Sequence, residues 1–102
     1  MNLLQTVADT LIREGIVRNY SEFSRIFCKK TENYYYRQRF HNRDYSLQGL
    51  IDTAIQLKNA NRSYDRFAVV FESEKTTLTI LEEKVREELL TKYRIKELAI
   101  RF

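Results

Sequence analysis

Ten side chains between positions 29 and 43 have the types and spacing to hold a polyanion and touch its bases. Asn33, Tyr34, Arg37 and Gln38 lie within six residues of one another. A guanidinium forks onto the O6 and N7 of guanine, and a carboxamide onto the N6 and N7 of adenine. A tyrosine can bond a phosphate through its hydroxyl or stack with its ring. These four are the candidate base contacts. Lys29, Lys30, Thr31, Arg39, His41 and Arg43 surround them and are the candidate phosphate contacts, each cation adding about one unit to the salt dependence of binding. On a helix, Tyr36 and Phe40 are four apart and are expected to form the buried face, which turns Arg37, Gln38 and His41 outward.

The charge supports this placement. The 102-residue chain carries a formal net charge of +4, and Arg18 to Arg43 alone holds seven cations and two anions. That stretch is therefore +5 and the remainder −1. The same cluster also fits a solvated helix face, and Tyr34-Tyr35-Tyr36 cannot all point one way on a helix. Either packing with stacking or packing alone accounts for the triplet.

Other chemistry has little material. His41 is the one histidine, so neither a histidine-pair metal site nor a Ser-His triad can be assembled. Cys28 follows Phe27 and reads as a small core residue. Glu82-Glu83 and Glu87-Glu88 alternate with Lys84 and Arg86, as on an exposed helix. No glycine-rich loop, CxxC or HExxH is present. The expectation is a protein that is not an enzyme, with no metal, cofactor or small-molecule ligand. The N-terminal Met1-Asn2-Leu3-Leu4-Gln5 lacks a basic segment and an apolar core, and the run Phe67 to Phe71 is far short of the ~20 residues of a membrane span. With a lone cysteine, the cytoplasm is the expected location.

The elements that must position these residues read as helices. Two glycines, no proline and an abundance of Leu, Glu, Lys, Arg and Gln disfavour tight turns and favour helix. Leu3, Leu4, Val7, Ala8, Leu11 and Ile12 mark a first helix, stopped by Gly15. Ser21 is expected to cap a second, ending near Cys28. Thr31 is expected to cap a third over 32–41, and Ser46 a fourth carrying Leu47, Leu50, Ile51, Ala54, Ile55 and Leu57. Asn59 to Ser63 reads as a polar linker, dividing a core over 1–58 from a supporting segment over 59–102 within one compact domain. The segment 66–72 suits a strand or a helical turn, and 97–102 either pairs with it or extends the last helix. From 74 to 93 the stripe Leu78, Leu81, Val85 and Leu89 marks a long amphipathic helix, covering the other helices or pairing with a second copy.

Two short capped helices joined by a turn, with a longer helix on either side, are the order of a helix-turn-helix. The run Ser21-Glu22-Phe23-Ser24-Arg25-Ile26-Phe27-Cys28-Lys29-Lys30-Thr31-Glu32-Asn33-Tyr34-Tyr35-Tyr36 resembles that of small phage-repressor-like helix-turn-helix proteins, over about residues 3–58. Ser24 stands where that family places a small residue, and Lys29 where it usually has the turn glycine, a position that asks for φ > 0. The expected fold is mainly α, a compact helical bundle containing a helix-turn-helix, with a long C-terminal helix and room for one short strand pair. The resemblance implies a small transcriptional regulator of the phage or plasmid type. It would read double-stranded DNA in the major groove with helix 32–41 and dimerise through 74–93. A protein-interaction module docking on a larger complex is the alternative, and RNA binding a third.

Overall fold

Short polar side chains start three of the helices. In the computed structural model, which describes residues 2–65 and 70–93, the Asn2 carboxamide accepts the Gln5 N–H at 2.8 Å and opens α1 (Leu3–Arg13). Asn19 accepts the Glu22 N–H at 2.8 Å and opens α2 (Tyr20–Ile26). Ser46 accepts the Gly49 N–H at 3.1 Å and opens α4 (Leu47–Tyr64). Between the last two lies α3 (Tyr34–Phe40), which starts without a side-chain cap bond. The fifth helix, α5 (Glu72–Tyr93), is the longest at 22 residues. The fold is thus mainly α, with no strand among the described residues. None of the described helices is long and apolar enough to cross a membrane.

Several boundaries differ from expectation. Asn19, not Ser21, caps α2. The Glu22 carboxylate folds back to accept the Arg18 N–H at 3.1 Å and its guanidinium at 2.9 Å, so the residue before the cap is fastened to the first turn. Thr31 caps nothing with its side chain. Its carbonyl takes the Tyr34 N–H at 3.0 Å, and α3 begins three residues after it. The link from α2 to α3 is therefore longer than the tight turn expected. Asn59 to Ser63 is not a linker but part of α4. Its polar side chains meet α5, where Asn61 donates to Thr79 at 3.1 Å and to Glu82 at 3.2 Å. The expected strand pairing of 66–72 with 97–102 falls largely on residues outside those described.

Three helices end on a left-handed residue. Gly15 (φ 73°) follows α1, and the Ile16 N–H returns to the Leu11 carbonyl at 2.9 Å. Asn42 (φ 53°) follows α3, and the Arg43 N–H returns to Gln38 at 2.7 Å. Lys29 (φ 53°) holds the corresponding place after α2, with the Lys30 N–H on the Ser24 carbonyl at 3.1 Å. The turn after α2 is thus made without glycine, at the steric cost of a Cβ in this region.

One apolar core runs through the described chain. It gathers Leu4, Val7, Ala8 and Leu11 of α1, Phe23 of α2, Leu50, Ala54 and Leu57 of α4, and Leu78, Leu81, Val85 and Leu89 of α5. The expected inward face of α3 is wrong. Tyr36 is 50% exposed and Phe40 85%, while Tyr34 and Tyr35 are buried. Neighbouring residues both go inside because α3 sits in a corner between two helices. Tyr35 faces α2, stacked on Tyr20 at 4.0 Å and edge-on to Phe23. Its N–H is held at 3.0 Å by the Ser24 hydroxyl, which itself donates to the Tyr20 carbonyl. Tyr34 faces α4, its hydroxyl accepting the Ser46 N–H at 2.9 Å and meeting the Ser46 hydroxyl at 3.0 Å. A Cβ on Gly49 would stand 2.5 Å from that tyrosine oxygen, so only glycine lets α4 come this close.

The loop from α3 to α4 is tied to the start of α1. Asp44 accepts the free N–H groups of Leu3 and Leu4 at 3.0 and 2.9 Å, with the Tyr45 N–H at 2.7 Å. The Asn2 carboxamide donates to the Arg43 carbonyl at 3.1 Å, and Gln38 to the Asp44 carbonyl at 2.6 Å. Cys28 is buried against α4, where the Thr53 hydroxyl approaches its sulfur at 3.6 Å.

Lys29→Gly should raise stability by about 0.5–1 kcal/mol, seen as a Tm higher by a few degrees. An unchanged or lower Tm would show that the left-handed lysine carries no strain. Asp44→Ala should cost about 1–3 kcal/mol in urea unfolding, because two helix N–H groups lose a charged acceptor together. A loss within error of zero would mean that water replaces it. Burial pushes the Cys28 thiol up to about 12. A thiol reagent at neutral pH should therefore label Cys28 only after denaturant is added, and fast labelling of the native chain would contradict the packing.

Candidate nucleic-acid interface

The ten expected contact residues fall on α3 and the two loops that flank it. Lys29, Thr31, Asn33, Arg37, Arg39, His41 and Arg43 are exposed, and Lys30 is half-buried. The left-handed turn at Lys29 reverses the chain after α2, and that at Asn42 turns it again after α3. The two loops meet at one cavity, which Lys30 lines from the first and Arg43 from the second. Lys30, Arg37, His41 and Arg43 line one open cavity of about 400 Å³, with Tyr34, Gln38 and Ser46 completing its wall. Three cations and an imidazole around a small hollow can hold an anion the size of a phosphate group.

Two of the four candidate base contacts are already engaged. The Tyr34 hydroxyl is committed to Ser46, and burial pushes its pKa up, so it stays protonated. The Gln38 amide nitrogen is committed to the Asp44 carbonyl, fixing the loop that carries Arg43. Tyr34 is thus part of the core and not a reader, and Gln38 is a brace with its carboxamide half-buried. Arg37 and Asn33 remain exposed. The Arg37 guanidinium is steadied by the Thr31 hydroxyl at 3.2 Å, which gives Thr31 the part of a positioning residue.

The ion pairs of the described residues lie away from the cavity. Ion pairs tie Arg18 to Glu22, Lys75 to Asp65, and both Lys58 and Arg86 to Glu82. Among the described residues, none of Lys29, Lys30, Arg37, Arg39 and Arg43 has such a partner. Of the two carboxylates along this stretch, Asp44 is turned onto the N-terminus of α1, while Glu32 is exposed in the loop before α3.

Sequence reasoning missed the two exposed aromatics of α3. Phe40 projects into solvent with its ring perpendicular to that of His41 at 5.2 Å. Tyr36 stands half out, edge-on to Tyr20 and Tyr35 at 5.9 Å each. The tyrosine triplet signalled that some rings must be outside, and the point at which α3 begins decides which.

Elsewhere, no cluster of three or more His, Cys, Asp or Glu gathers among the described residues. The stripe Leu78, Leu81, Val85 and Leu89 is buried in the chain's own core. Ile80 and Leu90 are the partly exposed large apolar residues of α5.

No curated protein and no solved structure matches the chain. Residues 4–98 match the model of a family of unknown function, DUF6626. Because that match spans nearly the whole sequence, from the first turn of α1 to beyond the end of α5, the chain belongs to the DUF6626 family.

Proposed function

We propose that this chain binds nucleic acid through α3 and the loops on either side of it. The observation that carries the reading is the convergence of Lys30, Arg37 and Arg43 on one cavity, with no ion pair on any of the three among the described residues. Lys29, Lys30, Arg39 and Arg43 would sit along a phosphate backbone, and the cavity lined by Lys30, Arg37, His41 and Arg43 would take one phosphate. Arg37 and Asn33 are the side chains left to touch bases.

A small transcriptional regulator using α3 in the major groove of duplex DNA is the form that the helix order suggests. Such a regulator would discriminate sequence weakly, since Tyr34 and Gln38 are spent inside the chain. A two-fold dimer would need a surface other than the buried stripe of α5.

Affinity for an oligonucleotide should fall steeply with salt, with a log–log slope of about 3–5 if each free cation releases roughly one counterion. Arg39→Ala should lower that slope by about one while leaving the fold intact, because the residue is exposed. Undetectable binding at about 50 mM salt, or binding insensitive to salt, would contradict the reading. Equal retention of an acidic polypeptide would assign the face to a protein partner instead.

A further inference from the structure

We infer that the outer face of α3 is a stacking platform for unpaired bases, so that the nucleic acid it takes is single-stranded. The inference rests on the nucleic-acid reading above and names the class of partner. Its starting point is Phe40, 85% exposed on a helix whose core positions are filled by Tyr34 and Tyr35. A phenylalanine in water forgoes the burial that usually retains it in a chain. Tyr36, half exposed, lies one turn before it on the same side, about 5–6 Å away at the level of the Cβ atoms. That spacing suits successive bases of a strand extended beyond its stacked rise of about 3.4 Å. The His41 ring stands against Phe40 and limits the directions that its ring face can take.

What this face presents and what it withholds both favour unpaired bases. In a duplex the base faces are hidden in the stack and only edges reach the groove, so a reader needs hydrogen-bonding side chains. On α3 the hydroxyl of Tyr34 and the amide of Gln38 are turned to Ser46 and Asp44, while two aromatic rings are turned to solvent. Rings beside cations form the combination that binds single strands: stacking accepts any base, and the cations track the backbone. Arg37 and Arg39 lie between the two aromatics in the chain, one on either side of their row on the helix, so phosphates can be held while each ring takes a base.

The test uses the full chain and fluorescence anisotropy with a labelled oligothymidylate of about 15 nucleotides and a duplex of the same length. The single strand should bind more tightly than the duplex. Phe40→Ala should weaken the single strand by about tenfold while changing duplex binding less than about twofold. Because the chain has no tryptophan, Phe40→Trp supplies a reporter. It should bind the single strand at least as well as the parent, with its emission quenched on stacking. Circular dichroism of each variant should match the parent, since the side chain is outside the core. Single-strand affinity unchanged by Phe40→Ala, or an unquenched Phe40→Trp, would overturn the stacking inference and leave a face that holds backbone alone. Failure of the parent chain to bind either oligonucleotide would overturn the nucleic-acid reading itself.

Discussion

The carboxylate of Asp44 on the first N–H groups of α1 is the contact on which the arrangement of the basic face depends. A helix start leaves its first amides without partners and carries partial positive charge, so an anion placed there is favoured twice. Here the anion comes from 40 residues further along the chain, and the bond sets where the loop between α3 and α4 must pass. Asn2 and Gln38 hold the two carbonyls of the same loop, so Arg43 is carried on a fixed backbone. The cap on α1 and the placing of Arg43 are therefore one feature.

The seat of α3 follows from two further constraints. Ser24 can be buried because its hydroxyl is satisfied on both sides, accepting from Tyr35 and donating to Tyr20, and no larger side chain would let α3 approach α2 as closely. Gly49 does the same for Tyr34 on the side of α4. With both flanks fixed by tyrosines in its first turn, the remainder of this seven-residue helix projects outward. That is why its later aromatics and its arginines share a surface.

Much of the frame was legible in the chain because it depends on local chemistry. Gly15 and Ser46 marked a helix end and a helix start, and the stripe of α5 announced a buried face. The errors came where tertiary contacts outrank local signals. Ser21 and Asn19 both have capping side chains, and the carboxylate of Glu22 favours the latter by fastening Arg18, the residue before it. The polar run from Asn59 to Ser63 resembles a linker in isolation, yet it stays helical because Asn61 finds partners on α5. The inward face of α3 was misjudged because a period of 3.6 describes a helix against one neighbour, and α3 has two. Lys29 was legible as the turn position, but its φ of 53° depends on the bonds that close around it.

A basic stretch in a helical chain thus becomes a candidate interface only when cations in it are shown to lack partners and to converge, as Lys30, Arg37 and Arg43 do here. Amide chemical shifts recorded while a single-stranded oligonucleotide is titrated into the labelled protein test this most directly. The largest changes should fall between residues 29 and 43, centred on Arg37, Phe40 and His41, with the buried stripe of α5 from Leu78 to Leu89 unmoved. Changes centred on α5, or none around α3 at saturation, would contradict the account.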